Sequence, residues 1–162
     1  MFKIMSAREA VGLIKDGDCV GINSFLSLAN PEALNDAVTA RFRETGHPNN
    51  LFLFCSAGFG GWDENRFADP YIAEGAVREI VAGHYASMPM ASRMALAGEI
   101  EAYNVPLGVL SHAVRAAAAG QSGVLSDVGL NIFADPRVGR LGLNAVSHKQ
   151  LVSVVELEGR EY

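Results

Sequence analysis

Cysteine is scarce in this chain: two residues in 162, Cys19 and Cys55, too few for a disulfide framework. Each lies inside an apolar run, where a free thiol behaves as a small core residue, so neither is expected to react. Positive charge is also short. Thirteen lysines and arginines against eighteen aspartates and glutamates leave a formal net charge of −5, and no basic run interleaves with aromatics. That pattern lacks the electrostatic footprint of a nucleic-acid binder, although an acidic protein can hold an anion in a local basic spot. No uncharged apolar run reaches the ~20 residues of a membrane span. The opening residues MFKIMSAREA show no continuous apolar region ahead of a small-residue cleavage site. The expectation is a cytoplasmic, reduced protein with no membrane or nucleic-acid partner. Neither His84 nor His112 has a cysteine or carboxylate at ligand spacing, so no metal is expected.

Apolar residues are plentiful, 49% against 19% charged, at a length suited to one domain with a sizeable core. The stretch over 16–32, DGDCVGINSFLSLANPE, sets the pattern. A turn at Asp16-Gly17-Asp18 leads into the apolar strand Cys19-Val20-Gly21-Ile22, and the polar pair Asn23-Ser24 follows. Asn30-Pro31-Glu32 then reads as a helix start: Asn30 as cap, Pro31 at the first helical position, Glu32 complementing the dipole. Strand, tight turn and helix is the unit of open α/β sheets, which bind ligands beyond the carboxyl ends of their strands. Asn23 and Ser24 are therefore the first candidate binding residues, with a solvated loop as the plain alternative.

Elsewhere, Ser6-Ala7-Arg8-Glu9 has capping-box spacing and opens a short helix expected to end near Lys15. After Pro31, Leu34, Ala37, Val38 and Phe42 recur at helical spacing until Gly46 stops the helix. Leu51-Phe52-Leu53-Phe54-Cys55 is apolar without alternation, as in a strand covered on both faces. It empties into a glycine-rich loop containing Gly58, Phe59 and Gly60, where backbone can approach a ligand closely. The loop lacks the Gly-Lys-Ser/Thr ending of a P-loop. Further on we expect a helix over 72–77, a strand over 79–83 ending at His84 and Tyr85, and a helix over 92–97. A strand over 100–103 and a helix over 109–119 follow, joined by the loop that starts at Asn104 and contains Leu107. His84 is read as a hydrogen-bonded structural residue, with catalysis as the lesser alternative, and His112 as a surface or interface residue. The alternation indicates an α/β domain with a largely parallel sheet. The final third is less regular. It closes on an apolar strand over 151–157, the turn Glu158-Gly159 and a returning strand from Arg160. The unpaired edge left there suggests a continuation beyond Tyr162.

Three segments, DGDCVGINSFLSLANPEAL, HPNNLFLFCSAGFGG and AYNVPLGVLSHAVRAAAAGQSGVLSDVGLNIFADPR, resemble in order the N-terminal half of family I coenzyme A transferases. The acetate/propionate type, with both halves in one polypeptide, is the nearest subgroup. The resemblance implies an open, largely parallel α/β sheet with helices on both faces. Residues 1–162 would form the alpha-subunit-like domain, incomplete at its C-terminus. It also implies a reaction moving coenzyme A between a short-chain acyl-CoA and a free carboxylate, with coenzyme A as substrate and no tightly bound cofactor. In the family a glutamate of the second half attacks the thioester, giving an acyl-glutamyl anhydride and then a glutamyl-CoA thioester. No glutamate here sits in the family's Ser-Glu-Asn-Gly-like motif. The chain is thus expected to hold no nucleophile, to be inactive alone, and to work in an oligomer with a second half.

The substrate-binding set implied by the resemblance is Asn23, Ser24, Phe25, Gly58, Phe59, Gly60, Asn104 and Leu107, placed near the reacting carbonyl. Several positions depart from the family. Asn23 and Ser24 stand where glycines are common, Asn131-Ile132 where relatives have Gly-Thr. Leu107 replaces a glutamine suited to bonding the acyl oxygen, and can donate nothing. Such departures leave two alternatives open: a catalytically silent subunit that binds acyl-CoA or scaffolds a partner, and a thioester hydrolase on the same fold. Apolar Leu107 and Phe59 equally suit a pocket for a larger acyl group.

Overall fold

The computed structural model describes residues 3–162; Met1 and Phe2, at the head of the segment weighed as a leader, lie outside them. Four strands, β1 (Cys19–Gly21), β2 (Leu51–Cys55), β3 (Val77–Ala82) and β4 (Glu101–Asn104), form one sheet in chain order. Every neighbouring pair is parallel. Parallel neighbours joined by right-handed crossovers put their connections on one face. Accordingly α1 (Ala7–Val11), α2 (Glu32–Thr45), α3 (Asp69–Ala73) and α4 (Pro89–Ala97) pack side by side over the same side. Their residues Val11, Val38, Ile72 and Met94 meet Leu53, Ile80 and Ala102 of the sheet in the main core. The opposite face takes the alternate strand residues Phe52, Phe54, Val81 and Tyr103. It is covered by α5 (Leu107–Ala118), through Leu110, and by the irregular chain that brings Ala134, Leu141 and Val152. Helices thus lie on both faces, as expected, but unequally. Among the described residues no helix is long and apolar enough to cross a membrane.

Several local readings hold and several shift. The Ser6 hydroxyl accepts from the Glu9 N–H while the Glu9 carboxylate accepts from the Ser6 N–H, a complete capping box. The helix it opens stops at Val11, with Gly12 as its C-cap, and does not reach Lys15. Val77 belongs to β3 and not to the preceding helix: it pairs with Leu51 of β2, and a register shift beside it lets its side chain join the main core. Leu107 opens α5 and does not lie in a loop. Of the strand expected over 151–157 only β5 (Glu156–Leu157) forms, in an antiparallel hairpin with β6 (Arg160–Glu161). Residues 151–154 are largely apolar but have no ladder beside them, and an apolar run alone does not make a strand. The outer edge of β4 is occupied by an antiparallel segment instead: the Asn104 N–H donates to Leu141 O at 2.9 Å and the Leu143 N–H to Ala102 O at 2.8 Å.

Candidate functional site

Parallel register places the ends of all four strands along one carboxyl edge, and the first two loops there are tied together. β1 continues into Ile22, whose N–H still bonds Phe54 O at 2.9 Å, then into Asn23 and Ser24. Asn23 is exposed. Ser24 is half-buried, and its hydroxyl oxygen is buried without a partner. Phe25 and Leu28 exchange backbone hydrogen bonds of 3.1 and 3.0 Å, closing a tight turn that leaves the Phe25 side chain 55% exposed at the rim. Leu26 and Ala29 both hold φ near +55°, a left-handed conformation that costs non-glycine residues free energy and persists only where surroundings enforce it. The enforcement is visible. Leu26 N–H donates to Gly58 O at 2.9 Å, and the Asn30 amide donates to both Leu26 O and Phe59 O.

Asn30 therefore does not cap α2, whose N-cap is Pro31 with no side-chain bond. Its carbonyl oxygen accepts from the Asn35 amide at 3.0 Å, and Asn35 in turn accepts from the Tyr71 hydroxyl at 3.1 Å. Asn35 and Tyr71 are buried. A polar chain from α3 through α2 thus fixes the spacing of the two site loops.

The glycine-rich loop is equally constrained. A Cβ on Gly60 would fall 2.0 Å from Ser87 O, and one on Gly58 2.8 Å from His84 Cε1 and 3.0 Å from its Nε2. No side chain fits at Gly60, where backbone blocks it, and one at Gly58 would have to displace the His84 ring. Phe59 is wholly buried in the main core, so its ring faces away from the loop surface. Its N–H points at Met88 Sδ at 3.4 Å and its carbonyl is taken by Asn30.

At the end of β3 the Gly83 N–H donates to Ala57 O at 2.7 Å. The Tyr85 hydroxyl donates to Ile80 O at 2.8 Å and accepts from Tyr103 N–H at 3.1 Å, and burial pushes its pKa well up. His84 differs from the hydrogen-bonded structural residue expected of it. It is half-buried, and among the described residues neither ring nitrogen has a hydrogen-bond partner. At the end of β4 the Asn104 amide is spent on Ala82 O (3.2 Å) and Gly83 O (2.7 Å), bracing β3 against β4. Leu107 is 42% exposed, and its Cβ lies 3.2 Å from where a Cβ on Gly83 would stand.

Ser24, Gly58, His84, Asn104 and Leu107 thus form one continuous edge. Asn23 and Phe25 lie at its rim, and Phe59 serves it through backbone alone. Among the described residues no group of three or more His, Cys, Asp or Glu side chains is placed to hold a metal. One buried carboxylate near the edge was not foreseen. Asp69, at the start of α3, accepts from Met90 N–H at 3.3 Å, while its other oxygen has no partner. Burial pushes its pKa up to about 6, opposed by the N–H groups of Met90 and Ala91. Its sequence signal was Asp69-Pro70, an acidic helix start whose depth in the fold no local rule reports. A separate cleft of about 510 Å³ opens on the α5 face, lined by Val105, Val109, Leu125, Leu151, Val155 and Tyr162 among others. It includes none of the eight candidate residues.

Comparison with known proteins converges on the same scaffold. Residues 4–162 match the family model described as Coenzyme A transferase. The chain is 35% identical over 161 residues to the acetate CoA-transferase YdiF of Escherichia coli, covering 98% of this chain and 30% of that protein. It is 34% identical to the caffeate CoA-transferase of Acetobacterium woodii, over 100% of this chain and 31% of the relative. A crystal structure of the Escherichia coli acyl-CoA transferase YdiF, in a thioester complex with CoA, superposes with a TM-score of 0.86 at 36% identity. It covers 98% of this chain and 31% of that one. The chain therefore spans about 30% of the length of these relatives. With the family model matched over 4–162 and the same open parallel sheet, the chain belongs to the coenzyme A transferase family.

Proposed function

We propose that this chain is the N-terminal domain of an enzyme that moves coenzyme A between a short-chain acyl-CoA and a free carboxylate. A glutamate on another domain or subunit would carry the CoA as a thioester. The observation that carries this reading is the composition of the carboxyl edge: a serine hydroxyl, an imidazole and close-packed glycine backbone converge there, with no carboxylate among them. Such an edge suits binding an acyl carbonyl and offers no carboxylate of its own to attack it. In the proposed cycle the glutamate oxygen adds to the thioester carbon and CoA thiolate leaves, giving an acyl-glutamyl anhydride. The thiolate then attacks the glutamyl carbonyl and expels the acyl group as a free carboxylate, leaving glutamyl-CoA. An incoming carboxylate reverses both steps.

The test begins with the chain isolated together with the polypeptide it associates with. Acyl-CoA followed by borohydride is expected to reduce one glutamate of that partner, while the purified chain alone exchanges nothing. Exchange by the pure chain would overturn the placement of the nucleophile. A silent subunit that binds acyl-CoA remains a second reading because the Leu107 side chain offers no donor at the start of α5. Binding without exchange in a complete assembly would favour it, and release of free CoA without an acceptor acid would instead mark a hydrolase.

A further inference from the structure

Resting on that reading, we infer that His84 is a catalytic residue of the transfer. Its imidazole N–H would donate a hydrogen bond to the acyl oxygen as negative charge develops there. Four observations converge on it. His84 ends β3, an inner strand, so it sits mid-edge between the glycine-rich loop after β2 and Leu107 after β4. The ring lies over Gly58, in the space that a Cβ there would need, 2.8 Å from Cε1. Whichever tautomer is present, the neutral imidazole carries one N–H, and nothing among the described residues accepts it. Neither ring nitrogen is shut off from the surface, so the N–H is open to an acceptor from outside the chain.

The side chains of Tyr85, Asn104 and Leu107 beside it cannot take the role. Tyr85 is committed to Ile80 and Tyr103, and the Asn104 amide to two backbone carbonyls. The Leu107 side chain has no donor. The other histidines are unlike His84: His47 bonds Asp16 at 2.8 Å, and His112 and His148 are exposed.

The step balances without a proton transfer. A carboxylate oxygen adds to the thioester carbon and the carbonyl π pair moves onto oxygen. The imidazole N–H stabilises that oxyanion by hydrogen bonding and keeps its proton. Collapse restores the C=O and expels CoA thiolate. A preorganised donor of this kind acts where charge appears and strengthens in the transition state.

The experiment uses the assembly isolated above. Diethyl pyrocarbonate is applied with and without acetyl-CoA, modification is read at each histidine by mass, and acetyl-CoA binding is measured separately by equilibrium dialysis. Acetyl-CoA is expected to slow modification of His84 by about 10-fold, a hydrogen bond's worth of protection, and to leave His47, His112 and His148 unchanged. His84→Ala is expected to lower kcat by roughly 100-fold with little change in KM, and His84→Gln, which keeps an N–H, to recover a large part of the loss. Bound acetyl-CoA without protection of His84, or His84→Gln as slow as His84→Ala, overturns the inference and leaves the transferase reading standing. Failure of the assembly to bind acetyl-CoA overturns both.

Discussion

On the α1–α4 side of the sheet Leu53, Ile80, Ala82 and Ala102 are fully buried. On the α5 side Phe52 and Phe54 are only half-buried, and Leu125, Val128, Leu151 and Val155 stand exposed around the cleft. The contrast follows from what covers each face. Four helices, each one crossover from the next, lay apolar side chains on the first; one helix and irregular chain lie over the second. The closed face accordingly holds the fold together. The open one presents the kind of contiguous apolar surface that marks an interaction face.

The largest expected effect tests that division directly. Leu53→Ala empties a filled site in the closed face and is expected to cost about 2–5 kcal/mol. Leu125→Ala, 55% exposed beside the cleft, is expected to stay within about 0.5 kcal/mol. Urea unfolding of the two variants measures both. Equal losses would mean that the α5 face is as much a core as the other.

The closed face also traps a charge, which sharpens the comparison. Asp69 is buried there with a pKa raised to about 6, above the ordinary carboxylate value. The folded state therefore holds that proton more tightly than the unfolded one. Stability from this group is greatest below pH 4, falls as pH rises through 6, and is constant beyond. Asp69→Asn removes the ionisation while keeping an oxygen for the Met90 N–H. It is expected to stabilise by about 1–2 kcal/mol at pH 8, after allowance for solvent screening, and to give nothing at pH 4. Denaturant midpoints at the two pH values decide it. A gain equal at both would assign the effect to packing, not charge.

How much of this was readable beforehand depended on where each residue's partners lie. The strands were readable because Leu51–Cys55 is an apolar run and 79–83 a strand-like one between helical spacings, though Val77 was given to the helix before it; parallel order then placed the site at their ends. Ser6 and Glu9 were readable because a capping box is local. Asn30 was not: Asn-Pro-Glu has the form of a cap, but its bonds reach Phe59 on another loop and Asn35 a turn into the helix. The lone imidazole of His84 was hidden for the converse reason, since a missing partner leaves no trace in spacing. Residues 151–154 misled because an apolar run describes what a strand buries and not the neighbour it needs.

The smallest effect lies in the β5–β6 hairpin, the far end of the open face. Its ladder continues through Val155 and Tyr162, which exchange bonds of 3.0 and 2.9 Å. Two ion pairs hold it down, Arg137 with Glu161 at 2.7 Å and Arg160 with Asp127, and both Glu161 and Asp127 are about half exposed. Exposed pairs of this kind are weak and salt-screened. Arg137 is the better anchored, because the buried Asp135 carboxylate fixes its guanidinium, and that contact holds Asp135 well below the usual carboxylate range. Arg160→Ala is therefore expected to speed amide exchange at Val155 and Tyr162 only a few-fold, and less in high salt. Amides of β2 should not respond, since opening there requires unfolding the closed face while the hairpin opens locally. If β2 exchange rose in step with the hairpin, the two faces would unfold as one unit, and the distinction between a self-sufficient side and an open one would fail.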